Sequence, residues 1–118
     1  MKDTWKLIID NLNSILKKYP QFQTLTLEQL IHTTRQVPER DCIAIARNAS
    51  GVYNHQFFFN GMCPDGKKAP SGALAVDINR RFGSLNAFRE KFTEMALSVF
   101  GSGYVWLFNG KQGLCLVT

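Results

Sequence analysis

The residues in this chain best suited to chemistry form one aromatic run, Asn54-His55-Gln56-Phe57-Phe58-Phe59. At helical spacing, Gly51 and Val52 lie one turn before His55, and Phe58 and Phe59 one turn after it, which sets the imidazole on an apolar helix face. Neutral imidazole is the metal-binding form, and apolar walls control how solvent reaches it. A core histidine with a satisfied hydrogen bond is the commoner occupant of such a face, and spacing alone leaves both readings open. His32, beside Thr33 and Thr34, suits a solvated or capping role. No His-Glu-x-x-His, paired-carboxylate or cysteine-pair pattern accompanies either histidine. Gly101-Ser102-Gly103 is not the Gly-x-Ser-x-Gly of a nucleophile elbow, so no catalytic residue and no cofactor-binding residue is assigned. Tyr104 and Trp106 alternate with Val105 and Leu107 and share one face of a predicted strand. That face reads as packed aromatic core or as the wall of a buried site.

The elements that must position these residues are legible from period and punctuation. Trp5, Ile8, Ile9, Leu12, Ile15 and Leu16 predict an amphipathic helix over 4–18, ended by Pro20. Thr26-Leu27-Glu28-Gln29 is a capping box opening a short helix to about Gln36. Pro38 suits the first position of a third helix reaching about Asn60. Gly51 inside that helix costs about 1 kcal/mol relative to alanine, which predicts a spatial reason for it. Cys63-Pro64-Asp65-Gly66 and Pro70-Ser71-Gly72 mark a linker. A helix over 74–82 is closed by Gly83, and Ser84 caps the next, whose Phe88, Phe92, Met95, Ala96 and Val99 make an apolar stripe. Strands are expected over Tyr104–Phe108 and Leu114–Val117, joined by the five residues Asn109 to Gly113. The expected fold is α+β: a helical hairpin-type domain over 1–64, packed with a domain over 65–118 of two helices and an antiparallel β-hairpin.

Composition narrows the partners. The net charge is +5, but Lys17-Lys18, Lys67-Lys68 and Arg80-Arg81 are scattered rather than blocked, which disfavours nucleic acid. Three widely spaced cysteines, Cys42, Cys63 and Cys115, argue against a disulfide framework or zinc cluster. They fit a reducing compartment, the cytoplasm or an organelle interior. No stretch approaches the roughly twenty apolar residues of a membrane span, and the N-terminus lacks the apolar core of a signal peptide.

Four pieces in one order resemble the iron/manganese superoxide dismutases. Asn54-His55-Gln56-Phe57-Phe58-Phe59 resembles the family's Asn-His-x-Phe-(Phe/Tyr)-Trp. Phe82-Gly83-Ser84 is similar to a Phe-Gly-Ser helix start. Phe100 to Leu107 resembles Phe-Gly-Ser-Gly-Trp-x-Trp-Leu, and Ile9 to Asn13 resembles Val-x-x-Leu-Asn. The resemblance implies that His55 is one ligand of a mononuclear manganese or iron site built from three histidines and one aspartate. It also implies that Gly51, Phe58, Phe59, Tyr104 and Trp106 lie around that site. Departures accompany it. Ile8 stands where the family has a gateway tyrosine, and Thr4 and Trp5 stand where it has adjacent histidines. Phe59 and Tyr104 stand where it has tryptophans. The first ligand histidine would fall before Met1, and the aspartate and last histidine beyond Thr118.

The expectation is therefore a chain truncated at both ends, holding one ligand of four and no metal by itself. It would be an inactive fragment or decayed enzyme of superoxide disproportionation. The alternative is a metal-free structural or assembly module on the same scaffold. Self-association is expected through the Phe88/Phe92/Met95 face and the open edge at Leu114–Val117. Glutamine usually occupies the Gly51 position in the iron type and glycine in the manganese type. The resemblance thus implies a manganese-type or metal-flexible lineage.

Overall fold

The computed structural model describes residues 2–32 and 36–118. The chain divides into two compact units, Met1–Pro64 and Asp65–Thr118. The fold is α+β, with five α-helices and one antiparallel hairpin among the described residues. Among the described residues no helix is long and apolar enough to cross a membrane, and Cys42, Cys63 and Cys115 are free thiols.

The first unit holds α1 (Lys2–Leu16), a 3₁₀ turn (Pro20–Phe22), α2 (Leu27–His32) and α3 (Glu39–Asn60). The capping box at α2 forms as expected. The Thr26 backbone N–H donates to Gln29 Oε1 at 2.9 Å, and the Gln29 N–H donates to Thr26 Oγ1 at 3.2 Å. The expected extension of α2 to Gln36 crosses residues 33–35, which lie outside the described residues. Pro38 sits one position earlier than expected: it is the extended residue before α3, with ψ 140°, and its carbonyl accepts the Asp41 and Cys42 N–H groups. The apolar stripe of α1 meets α3 in a core of Leu12, Leu16, Phe22, Leu30, Ile45, Ala49 and Val52. Tyr19, just past α1, donates its hydroxyl to the Asp41 carboxylate near the start of α3.

The second unit holds α4 (Gly72–Phe82), α5 (Leu85–Ser98), β1 (Trp106–Gly110) and β2 (Gly113–Val117). Gly83 closes α4 with φ 89°, and the Ser84 hydroxyl accepts the Ala87 N–H at 3.0 Å to open α5. The hairpin differs from expectation. β1 begins at Trp106 rather than Tyr104 and continues through Asn109 and Gly110, whose partners are Leu114 and Gly113. The loop is thus Lys111-Gln112 rather than five residues. Among the described residues no non-glycine residue has positive φ; in the hairpin the left-handed residue is Gly113, at 95°. A turn followed by a left-handed glycine closes the hairpin without the primed conformations that Lys111 and Gln112 disfavour.

The expected open face of α5 is also corrected. Phe88, Phe92 and Met95 are half-buried. Phe88 packs between Phe82 and Phe92, with ring centroids 5.1 and 5.8 Å away. Leu97 of α5 and Phe100 just beyond it are the most exposed large apolar side chains of the unit, at 82% and 102%. Ile78 and Leu114 are the buried residues of this unit, and α4 packs on β2.

Ile45 is 1% exposed in the three-helix core. Ile45→Ala should cost about 2–4 kcal/mol in urea unfolding, because the neighbours cannot collapse fully into the void. Leu97→Ala should change stability by no more than about 0.5 kcal/mol.

The Tyr19–Asp41 bond gives a pH test. The hydrogen bond to the carboxylate, with burial and the carboxylate charge acting the same way, raises the Tyr19 pKa above its ordinary value of 10.0. Folding then favours the protonated phenol. Its contribution is complete below the unfolded-state pKa and is lost as pH rises through the higher folded-state value. The urea midpoint of the unaltered chain should therefore fall further than that of Tyr19→Phe between neutral pH and strongly alkaline pH. Equal falls would show that the bond contributes nothing.

Candidate functional site

Helix α3 carries the candidate ligand near its C-terminal end. His55 is half-buried, and its Nδ1 lies 2.8 Å from the Gly51 carbonyl oxygen, one turn back. A carbonyl can only accept, so Nδ1 is the donor and the neutral ring presents Nε2 as its basic nitrogen. The ring also packs against Trp5 of α1, with centroids 5.4 Å apart and planes tilted by 57°. Imidazole orientation is thus set from two sides: by the backbone of its own helix and by an indole from its neighbour.

Gly51 has a double part in this arrangement. Its carbonyl holds His55, and its missing side chain admits α1. A β-carbon at 51 would lie 3.3 Å from Ile8 Cγ2 and 3.4 Å from Cδ1. That close approach is the spatial reason expected for a glycine inside the 22-residue helix. The space above Gly51 within this unit is occupied by Ile8.

The other expected site residues make ring contacts within their own units. Phe58 and Phe59, both 42% exposed, meet edge to face at 5.5 Å. Phe57 stacks on Tyr53 at 6.4 Å. Tyr104 and Trp106 belong to the second unit, with rings 6.1 Å apart; Trp106 opens β1 and Tyr104 precedes it. Within the first unit His55 meets Gly51 and Phe58 meets Phe59; within the second Tyr104 meets Trp106. Trp5 is the contact that sequence reasoning did not place at the site. Its signal was present in the helical stripe shared with Ile8 and Leu12, but that stripe names no partner.

Among the described residues no group of three or more histidine, cysteine, aspartate or glutamate side chains could hold an ion. His55 offers one imidazole, whereas a stable mononuclear site draws on several donors in a fixed geometry. The described residues alone do not fit the manganese or iron that the motifs imply.

Comparison with known proteins agrees with those motifs. The pattern for iron/manganese superoxide dismutases, C-terminal domain, matches residues 70–118. Manganese superoxide dismutase 3 of Leptolyngbya boryana is 43% identical over 105 residues, covering 89% of this chain and 44% of that protein. The iron superoxide dismutase of Legionella pneumophila is 37% identical over 105 residues, 89% of this chain and 50% of its own length. A Mn/Fe superoxide dismutase of Rickettsia bellii is 40% identical over 109 residues, 92% and 51% respectively. The chain belongs to the iron/manganese superoxide dismutase family. It spans about half the length of the curated relatives it matches.

The Gly51–Ile8 contact can be tested by filling it. Gly51→Gln should destabilise the chain by about 1–3 kcal/mol through overpacking against Ile8. Adding Ile8→Ala should make the double variant more stable than the sum of the two single losses implies, by about 1 kcal/mol. Additive losses in urea unfolding would show that the two positions do not meet.

Proposed function

We propose that this chain contributes one metal-ligating imidazole, His55, to a superoxide dismutase site for manganese or iron, and that these residues alone neither hold the metal nor turn over superoxide. The reaction at the complete site is disproportionation: two superoxide ions and two protons give one dioxygen and one hydrogen peroxide. The observation that carries the reading is the 2.8 Å bond from His55 Nδ1 to the Gly51 carbonyl. It directs the basic Nε2 away from the helix backbone, the arrangement that a ligating histidine requires. Phe58, Phe59, Tyr104 and Trp106 are assigned to the apolar surroundings of that site. Glycine at 51 suits a manganese-type or metal-flexible lineage. The remaining ligands are not among the described residues, so they come from elsewhere. The +5 charge suits an anionic substrate, and exposed Leu97 and Phe100 support self-association.

A second reading, a metal-free structural or assembly module on this scaffold, is favoured by the apolar closure of the α1–α3 seam. Trp5 covers one side of the His55 ring and Ile8 fills the space over Gly51.

Elemental analysis and a superoxide assay on the 118-residue chain, produced with manganese and with iron, test the proposal. Far less than one metal per chain and no turnover are expected. About one tightly held metal per chain with fast turnover would overturn it. In a longer polypeptide containing these residues, His55→Ala should abolish metal retention under the first reading. Under the second it should leave both metal content and assembly unchanged.

A further inference from the structure

We infer that the cleft between the end of α4 and the tip of the hairpin binds a small phosphate-type oxyanion. The cleft measures about 480 Å³ and is lined by Asp77, Arg80, Arg81, Asn109, Gln112 and Leu114, with Gly113 at the turn. Arg81 Nε donates to the Leu114 carbonyl at 2.9 Å, across the α4–β2 contact. That bond holds the guanidinium by its Nε edge and leaves the two Nη groups for another acceptor, on a side chain that lines the cleft. Among the described residues those groups have no other protein partner, and neither do the side-chain amides of Asn109 and Gln112. Asp77 is the one acid in the lining, and Arg80 Nη2 answers it at 3.2 Å. Arg80 and Arg81 both stand in the last turn of α4, where cations offset the negative end of the helix dipole. Lys111, in the exposed turn, adds a further cation.

The chemistry of the pocket selects its ligand. A planar guanidinium held by one edge offers paired N–H groups that match two oxygens of a phosphate. Two neutral amides at the hairpin tip can supply further donors without adding charge. With Arg80 answering Asp77, Arg81 is the cation of the lining left for an anion, and Lys111 stands in the adjoining turn. Inorganic phosphate and the phosphoryl group of a monoester share this chemistry.

The test is an NMR titration of the 118-residue chain with inorganic phosphate, with glycerol phosphate, and with sodium chloride at matched ionic strength. Saturable shifts confined to the amides of residues 109–114 and to Arg81 Nε are expected with both phosphates and not with chloride. Tighter binding of glycerol phosphate would assign the site to a phosphoryl group on a larger molecule; equal binding would assign it to the free ion. Arg81→Lys keeps the charge but removes the fork and should weaken binding about tenfold, the scale of one charge-assisted hydrogen bond. Gln112→Ala lies in the exposed turn, so it keeps the test open if Arg81→Lys unsettles β2, and it should weaken binding about threefold. Shifts that chloride reproduces, or unchanged binding in both variants, would overturn the inference.

Discussion

Helix α1 can lie close on α3 because residue 51 has no side chain, and the first unit is organised around that approach. Three contacts trace one register. Trp5 meets His55, Ile8 meets the space over Gly51, and Tyr19 reaches Asp41. The order along α1 reverses the order along α3, so the two segments run antiparallel. Leu12 and Leu16 fall between these contacts on one side, and Ala49 and Ile45 fall between them on the other; all four are buried in the same core. A β-carbon at 51 would crowd Ile8, which would have to give by a few tenths of an ångström, on the same helix that sets Trp5 against His55. The cost of a glycine within a helix, about 1 kcal/mol, is offset by the apolar surface that this approach removes from water.

The same glycine links packing to chemistry. Its carbonyl belongs to the helix ladder yet also accepts from His55 Nδ1, a sharing that a carbonyl with two lone pairs permits. The imidazole is thus oriented by local helix geometry, while its exposure is governed by tertiary contact with Trp5. Orientation and enclosure have separate causes. One survives a change of neighbour on α1, and the other does not.

What could be read in the sequence follows the range of the interactions involved. The Thr26/Gln29 box, the Ser84 cap and the left-handed Gly83 are bonds within one or two turns, and their residue types announce them. The limits of the strands are set by pairing. Trp106 opens β1 because it lies opposite Val117, and Asn109 and Gly110 are drawn into the ladder by Leu114 and Gly113. Turn-forming residue types therefore suggested a longer loop than the register allows. His55 was visible as a candidate from its apolar neighbours along the helix. Trp5, fifty positions away in the chain, could not be assigned to it without the packing. The Tyr19–Asp41 bond was likewise invisible, since a tyrosine after one helix and an aspartate near the start of another carry no mutual signal. The Gly101-Ser102-Gly103 break has a physical account only in the structure. Gly101 takes φ 77°, and a β-carbon on Gly103 would stand 2.8 Å from Val99 Cγ1.

The separation of orientation from enclosure bears on how a metal would relate to folding in this family member. In small zinc modules the ion assembles the fold, so binding free energy is folding free energy. Here the first unit has its own core, with Ile45 at 1% and Ala49 at 0% exposure, and nothing in that core depends on a donor to an ion. His55 is already held by its helix and by Trp5. A preorganised imidazole of this kind lowers the cost of binding once other donors converge on it. It also persists unchanged where they do not, because the contacts that fix it serve the α1–α3 seam. The scaffold can therefore keep His55 in position whether the seam serves a redox site or only the packing of two helices, and the donors around Nε2 decide between those outcomes.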